Sequence, residues 1–113
     1  MESCIFCKII KGIIPSTCVY EDEYVYAFKD IAPQAPIHIL VVPRQHIASA
    51  AELTMETSHL AAKCFEAIAK IADTMELSDG FRVITNSGTD AGQTVFHLHF
   101  HLLAGRTFDT GLV

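Results

Sequence analysis

Three histidines recur at every second position near the end of the chain. His97, His99 and His101 fall within a predicted strand over residues 95–103, with leucine or phenylalanine at the positions between and after them. Because side chains along a strand point alternately to opposite faces, the imidazoles share one face and the apolar side chains share the other. Each imidazole nitrogen needs a hydrogen-bond partner, so three histidines are a poor choice for packing alone. The pattern therefore predicts that the histidine face lines a cleft or a second surface.

Two kinds of chemistry use such a row of histidines. A strand can supply two or three imidazoles to one zinc ion that keeps an open position for water. Alternatively, one imidazole is a nucleophile, while its neighbours orient it and hold the group that it attacks. The residues just before the row are Gly88, Gly92, Gln93 and Thr94. Glycines allow backbone N–H groups to approach an anion closely, and the amide and hydroxyl add donors, which favours a phosphate beside a nucleophilic imidazole.

A second candidate site is the pair Cys4 and Cys7, spaced by about one turn at the start of a predicted helix. Three interpretations are open: half of a zinc site, a redox pair, or two unrelated cysteines. A redox role is weak because no strand–helix–strand pattern surrounds the pair. A zinc site needs two further ligands, and no second closely spaced cysteine pair supplies them. Cys18 and Cys64 are predicted to be small core residues.

The composition indicates one globular domain and excludes several classes of protein. The chain has 113 residues, half of them apolar, and a net charge of −5. Its eight lysines and arginines are scattered, so no basic stripe is available for a nucleic acid. The acidic second residue argues against a signal peptide, and no apolar run reaches the ~18 residues of a membrane helix. We therefore predict a cytoplasmic protein that binds neither nucleic acids nor membranes, with its four cysteines as thiols or metal ligands.

Seven helices and strands are predicted to position the candidate residues. They are a short helix over 4–11 between Ser3 and Gly12, strands over 17–21, 24–29 and 37–42, a long helix over 54–77, and strands over 81–85 and 95–103. Apolar residues at steps of three and four indicate the long helix, with Thr54 as its N-cap. Ser49 and Glu52 have capping-box spacing and predict a short helical turn. This order predicts one α+β domain over 1–113, a five-stranded, mainly antiparallel sheet with one long and one short helix.

These motifs together resemble one protein family. The run His97-Leu-His-Phe-His-Leu-Leu is similar to the His-φ-His-φ-His-φ-φ motif of the histidine-triad (HIT) nucleotide-binding family, where φ is apolar. Further similar runs are Cys-Ile-Phe-Cys-Lys-Ile-Ile at 4–10, Asp-Ile-Ala-Pro-Gln-Ala-Pro-Ile-His at 30–38 and Asn-x-Gly-x-Asp-x-Gly-Gln-Thr-Val-x-His at 86–97. The resemblance is greatest to the branch of purine nucleoside phosphoramidases. The branch that hydrolyses dinucleoside polyphosphates is the nearest alternative.

The resemblance implies a two-step reaction on the middle histidine, without a catalytic metal. His99 would attack the α-phosphorus of a nucleoside phosphoramidate to form a nucleotidyl-histidine, which water then hydrolyses to the monophosphate. Its other ring nitrogen would keep a proton by donating to a backbone carbonyl. His101 would donate to a phosphate oxygen, and Thr94 would place a hydroxyl near the phosphate and the leaving amine. His38 and Asn86 match family positions near the substrate or its hydrogen-bond network.

The resemblance also implies where the nucleotide binds. Asp30 matches a carboxylate that accepts the ribose hydroxyls. A purine base would lie against Phe28 and Ile31, with Phe6 on its other side. The phosphate loop would contain Gly92 and Gln93.

Zinc and a second copy of the chain are the other implied partners. In some HIT proteins and their relatives two histidines complete a cysteine pair, and the matching positions here are His46 and His97. The resemblance thus implies a structural zinc ion held by Cys4, Cys7, His46 and His97, because four protein ligands leave no open position. It also implies a homodimer. The alternatives outside this account are a nucleotide-binding scaffold with little turnover and a zinc hydrolase with three histidine ligands.

Overall fold

The computed structural model describes residues 3–111 and confirms the α+β prediction. Its elements are α1 (Ile5–Ile10), β1 (Cys18–Glu21), β2 (Val25–Lys29), β3 (Ile37–Pro43), α2 (Ser58–Thr74), β4 (Arg82–Ile84) and β5 (Phe100–Ala104). The five strands of this described part form one sheet in the order β1-β2-β3-β5-β4, with every neighbouring pair antiparallel. Single turns of 3₁₀ helix lie at Ala50–Glu52 and Thr89–Ala91. Within residues 3–111 no helix is long and apolar enough to span a bilayer.

The long helix α2 covers one face of the sheet, as its apolar periodicity predicts. It buries Leu60, Cys64, Ala67, Ile68 and Ile71 against alternate residues of the strands. Among these partners are the apolar side chains that alternate with the histidines, namely Leu98, Phe100 and Leu102. Each fully buried leucine, isoleucine or phenylalanine contributes about 1.5–3 kcal/mol, so this contact is the main source of stability.

The opposite face of the sheet carries the histidines and is covered in part by the short helix α1. Phe6 of that helix packs on a second apolar cluster formed by Tyr26, Phe28, Leu40 and Val42. These residues alternate with those that face α2, as the pleat of a strand requires. The sheet therefore separates the main hydrophobic core, under α2, from the histidine face on its other side.

The predicted helix starts at Ser3 and Thr54 are wrong. The N-cap of α1 is Cys4, whose Sγ accepts a hydrogen bond from the Cys7 backbone N–H at 3.3 Å. The long helix begins three residues later than predicted, after Thr57, because residues 54–57 form a separate turn in which the Thr54 N–H donates to Thr57 Oγ1 at 2.9 Å. The predicted turn at 50–52 is present, but the Ser49 hydroxyl accepts a hydrogen bond from Ser87 rather than capping it.

The last strand is shorter than the predicted 95–103. It begins at Phe100, so His97 and His99 precede the ladder instead of lying within it. The neighbouring strand β3 ends at Pro43, which has no N–H to continue the pairing. Side chains replace the missing ladder: Thr85 Oγ1 donates to the His99 carbonyl at 2.7 Å. The alternation of faces persists despite the irregular backbone.

Candidate active site

A cavity of about 350 Å³ lies on the histidine face, between α1 and the sheet. Its wall contains seven residues predicted for the site, namely Phe6, Phe28, Asp30, Ile31, Thr94, His99 and His101. Ile31 is 99% exposed, so the predicted base pocket is open on that side. A larger depression of about 530 Å³ near the chain end is lined by residues 79–82 and 105–108 and contains no histidine or cysteine. The smaller cavity is the candidate active site because His99 and His101 both line it.

His99 is held in one tautomer. Its Nδ1 lies 2.7 Å from the backbone carbonyl of His97, and because a carbonyl can only accept, Nδ1 carries the proton. The Nε2 atom consequently keeps its lone pair, which is the form that a nucleophilic imidazole requires. The ring is 7% exposed, and the edge-on ring of Phe6, with centroids 5.1 Å apart, supports it from the side.

His101 is held in the opposite tautomer by a chain of two hydrogen bonds. The backbone N–H of Gln34 donates to His38 Nδ1 at 3.0 Å, so the proton of His38 is on Nε2. That Nε2–H donates to His101 Nδ1 at 2.9 Å and lies 3.4 Å from the Asp30 carboxylate. The proton of His101 is therefore on Nε2, so its ring is a donor next to His99, whose Nε2 carries a free lone pair. The family resemblance predicts His38 near the substrate or its hydrogen-bond network, and in the structure His38 orients His101.

The two histidines of this hydrogen-bonded chain, His38 and His101, are neutral near pH 7. Burial lowers the pKa of His101 to about 4, assisted by the neighbouring His99 and His38 and opposed by Asp30. Burial also lowers the pKa of His38, again opposed by Asp30. A neutral donor with a fixed tautomer agrees with the hydrogen-bond directions above.

These depressed values predict how stability depends on pH. In metal-free protein burial also lowers the pKa of His97 to about 4, whereas the ordinary value for histidine is 6.5. Below pH 6.5 the unfolded chain therefore binds protons that the folded chain excludes, so the free energy of unfolding falls as the pH drops toward about 4. Urea unfolding in chelator across this range measures the slope. His101→Gln should make the slope shallower, and an unchanged slope in that variant would contradict the assignment.

The loop before the histidines is fixed by Gln93 from within. Its side-chain amide is buried, donates to the carbonyls of Ala48 and Val95 at 2.8 and 3.0 Å, and accepts from the Gly88 N–H at 2.8 Å. Asn86, Gly92 and Gln93 lie outside the cavity wall, whereas Thr94 is part of it. The predicted phosphate loop thus presents Thr94 to the cavity, and the Gln93 side chain acts as its internal support.

Removing this support should lower stability measurably. Gln93→Ala leaves the carbonyls of Ala48 and Val95 and the N–H of Gly88 without their partner, and we expect a loss of about 2–4 kcal/mol in the free energy of unfolding. Gln34→Ala is the matched control, since its exposed side chain bonds one carbonyl and its backbone N–H remains. The control should change stability by less than ~0.5 kcal/mol in urea titrations. Equal effects of the two variants would refute the structural role of Gln93.

The predicted metal ligands Cys4, Cys7, His46 and His97 come together at the start of α1. Their four ligand atoms all lie within 4.8 Å of one another. The Nδ1 of His97 is 3.4 and 3.6 Å from the two sulfurs, and the Nδ1 of His46 is 3.5 Å from the Cys7 sulfur. A tetrahedral zinc ion with ordinary bond lengths separates sulfur and nitrogen ligands by about 3.6 Å. The distances fit zinc.

The tautomer of His97 also fits a metal. Its Nε2 donates to the Pro43 carbonyl at 2.8 Å, so Nδ1 has the lone pair, and Nδ1 is the atom that faces the sulfurs. A second group of potential ligands, Asp30, His38 and His101, fails the same test. There the Nε2 of His38 carries a proton because its Nδ1 accepts from Gln34, so it has no lone pair for a cation.

Comparison with known proteins identifies the family. A family model described as HIT domain matches residues 11–108. The chain belongs to the HIT family. This HIT protein is 43% identical over 106 residues to the purine nucleoside phosphoramidase of Escherichia coli (strain K12), an alignment that covers 93% of this chain and 89% of the relative. It is 47% identical over 104 residues to a 14 kDa zinc-binding protein of Zea mays, covering 90% of this chain and 81% of the relative.

A solved structure is similarly close to this HIT protein. The HIT family hydrolase from Clostridium thermocellum superimposes with a TM-score of 0.97 at 46% identity, covering 100% of this chain and 99% of the other. The agreement extends over the complete sheet and both helices, so the fold assignment does not depend on the histidine motif alone.

Two backbone groups of the site were not predicted from the sequence. The Gln34 N–H and the Pro43 carbonyl set the tautomers of His38 and His97, respectively. Every residue has a carbonyl and nearly every residue an N–H, so no side-chain pattern distinguishes these two. The prolines around position 34 and at the end of β3 are the only local signals that the chain turns there.

Proposed function

We propose that this HIT protein hydrolyses the P–N bond of purine nucleoside 5′-phosphoramidates, such as adenosine phosphoramidate or AMP-lysine. The observation that carries the proposal is the pair of opposite tautomers in the cavity: a lone pair on His99 Nε2 and a proton on His101 Nε2. A nucleophile beside a donor is what displacement at phosphorus needs. The relative named as a purine nucleoside phosphoramidase supports the choice of reaction.

In the first step His99 Nε2 attacks the α-phosphorus and the P–N bond to the amine breaks. The amine leaves with the bonding pair and takes a proton from solvent, with the Thr94 hydroxyl on the cavity wall as the proposed relay. The Nε2–H of His101 stabilises the charge on the phosphate oxygens. In the second step water attacks phosphorus from the side opposite Nε2 and releases a proton to solvent. The P–Nε2 bond breaks with its electron pair returning to Nε2, and the nucleoside monophosphate leaves with the neutral His99 ring restored.

The nucleoside is proposed to bind between α1 and the loop after β2. Phe6 and Phe28 touch edge-on, with ring centroids 5.5 Å apart, so Phe6 does not lie on the other side of the base from Phe28 as predicted. The two rings form one apolar wall for a purine, and Ile31 stands at the open rim. Asp30 Oδ1 accepts the Ala32 N–H at 2.8 Å, which fixes the carboxylate so that its free lone pairs accept ribose hydroxyls. The purine specificity follows from the family resemblance.

Charge favours an amine over a polyphosphate leaving group. Among the described residues that line the cavity, Lys29 alone is positively charged, and it is next to Asp30. The two donor histidines, His38 and His101, are neutral, so the cavity offers little positive charge to balance the negative charge of a polyphosphate leaving group. A neutral amine leaving group requires no such positive charge.

Comparison of two substrates tests the proposal. Adenosine phosphoramidate should be hydrolysed to AMP with a kcat/KM about a hundredfold above that for a diadenosine polyphosphate. The reverse preference would assign the protein to polyphosphate hydrolysis. Turnover of neither substrate, with the nucleotide still bound, would indicate a scaffold.

The zinc site is proposed to be structural, with Cys4, Cys7, His46 and His97 as its four ligands. Zinc there would fasten α1 to the segment before β5 without taking part in the reaction. Protein purified without chelator should contain one zinc ion per chain by metal analysis. Absence of bound zinc would overturn this assignment.

A homodimer is proposed from exposed apolar surface at one sheet edge. Phe65 of α2 is 51% exposed and packs on Phe100 of β5, and Phe81 precedes the edge strand β4 at 42% exposure. An unpaired strand edge beside apolar side chains favours pairing with a second copy. Sedimentation should give the mass of two chains, and Phe65→Glu should shift it to one.

A further inference from the structure

His97 takes part in two features of the molecule. Its ring belongs to the metal-ligand cluster, and its backbone carbonyl holds the proposed nucleophile His99. Its Nδ1 lies 3.4 Å from the Cys4 sulfur, and its backbone carbonyl accepts the Nδ1–H of His99 at 2.7 Å. The side chain is completely buried. Any displacement of the His97 ring in the cluster therefore displaces the group that holds the His99 proton.

The backbone around His97 depends on its ring for its position. The strand ladder begins only at Phe100, so hydrogen bonds between strands do not fix the His97 carbonyl. Two nearby anchors are the Nε2–H bond to Pro43 at 2.8 Å and the Leu98 N–H bond to the Ile47 carbonyl at 2.6 Å. A metal on Nδ1 would add a third anchor on the opposite edge of the ring.

Phe6 provides a second connection between the same two sites. It lies on α1 between the two cysteines, and its ring meets the rings of His99 and His97 edge-on, at centroid distances of 5.1 and 6.0 Å. The side chain is 5% exposed and also packs on Phe28. A metal that joins Cys4 to Cys7 would therefore fix the turn that presses Phe6 against the nucleophile.

We propose that the ion in the cluster is a positioning element for His99, beyond its contribution to stability. It acts through the His97 carbonyl and through the Phe6 ring, which together hold the His99 ring in one tautomer and one orientation. The donor His101 is oriented from elsewhere, by His38 and Gln34, so filling or emptying the cluster changes the nucleophile and leaves the donor unchanged. The kinetic consequence rests on the proposed function, but the effect on the His99 ring does not.

Nuclear magnetic resonance of the ring nitrogens tests the effect on His99 directly, without substrate. The full chain is prepared with ¹⁵N-histidine, zinc-loaded and metal-free, with folding of both forms monitored by circular dichroism. The loaded protein should give His99 signals of a single Nδ1–H tautomer. The metal-free protein should give averaged or doubled His99 signals, while those of His101 stay unchanged. Identical His99 signals in the two folded forms would overturn the proposal.

The second test measures the rate of nucleotidyl-histidine formation in a variant that keeps all four metal ligands. This test remains possible if the metal-free protein unfolds. Phe6→Leu should retain one zinc ion per chain, yet form the nucleotidyl-histidine about tenfold more slowly than wild type. Its His99 signals should show the same loss of a single tautomer. Cys18→Ser is the matched control and should change neither property. Cys18 lies outside the cluster and is exposed, so the prediction that it is a core residue is wrong.

The outcomes distinguish this inference from the proposed function. A wild-type rate and a wild-type His99 spectrum in zinc-loaded Phe6→Leu would overturn the Phe6 connection. A wild-type protein that forms no nucleotidyl adduct, but whose His99 spectrum responds to zinc, would refute the proposed reaction and leave the coupling standing.

Discussion

His99→Ala should abolish formation of the nucleotidyl intermediate and reduce release of AMP from adenosine phosphoramidate by at least ~10³-fold. The variant removes the lone pair on Nε2, and no other imidazole on the cavity wall has its lone pair free, because Nε2 of His101 carries a proton. Binding of a non-hydrolysable adenosine nucleotide should persist, since Asp30 and Phe28 are intact. Quenched-flow assays for the rate and titration calorimetry for the binding give the two measurements.

The control for this experiment is His59→Ala. His59 is exposed on α2, on the far side of the sheet, and should leave both rate and binding unchanged. Residual turnover of His99→Ala within tenfold of the wild type would contradict a covalent mechanism and favour direct attack by water.

His101→Ala should have the second-largest effect, a loss of about 10²–10³ in the rate of adduct formation. The variant removes the neutral Nε2–H donor that stabilises charge on the phosphate. His38→Ala should produce part of the same loss, because without its Nε2–H nothing specifies the tautomer of His101. The double variant should be no worse than His101→Ala alone, since both changes act on one donor. Additive losses would indicate that His38 acts on the substrate separately.

Much of this site could be predicted from side-chain pattern, because its residue types are chemically unusual. Alternating histidines beside a glycine-rich loop favoured a nucleophilic imidazole next to a phosphate, and a cysteine pair one turn apart allowed half of a zinc site as one of three interpretations. The structure brings the four proposed metal ligands together from three separate segments. The choice of His46 and His97 as the other two ligands, however, came from the family resemblance. His46 is a lone histidine after a strand, and the histidine row does not show which of its rings faces a metal.

What could not be predicted concerns the backbone. The late start of the last strand follows from its neighbour β3 stopping at Pro43, a tertiary fact that alternation in one segment does not contain. The role of Gln93 also depends on tertiary structure. An amide beside glycines has the chemistry to bind phosphate, but the Gln93 amide makes three hydrogen bonds within the protein and is therefore not available for a phosphate. The predicted helix starts were wrong for a local reason, since neighbouring residues compete for each N-cap: Ser3 and Cys4 before α1, and Thr54 and Thr57 before α2.

The most direct measurement of the central claim is mass spectrometry of the protein after brief mixing with adenosine phosphoramidate and rapid quenching at alkaline pH. We predict that the intact chain gains the mass of one adenylate group and that peptide fragmentation locates it on His99. Release of AMP without any adduct at times shorter than one turnover, or an adduct on His97 or His101, would contradict the account.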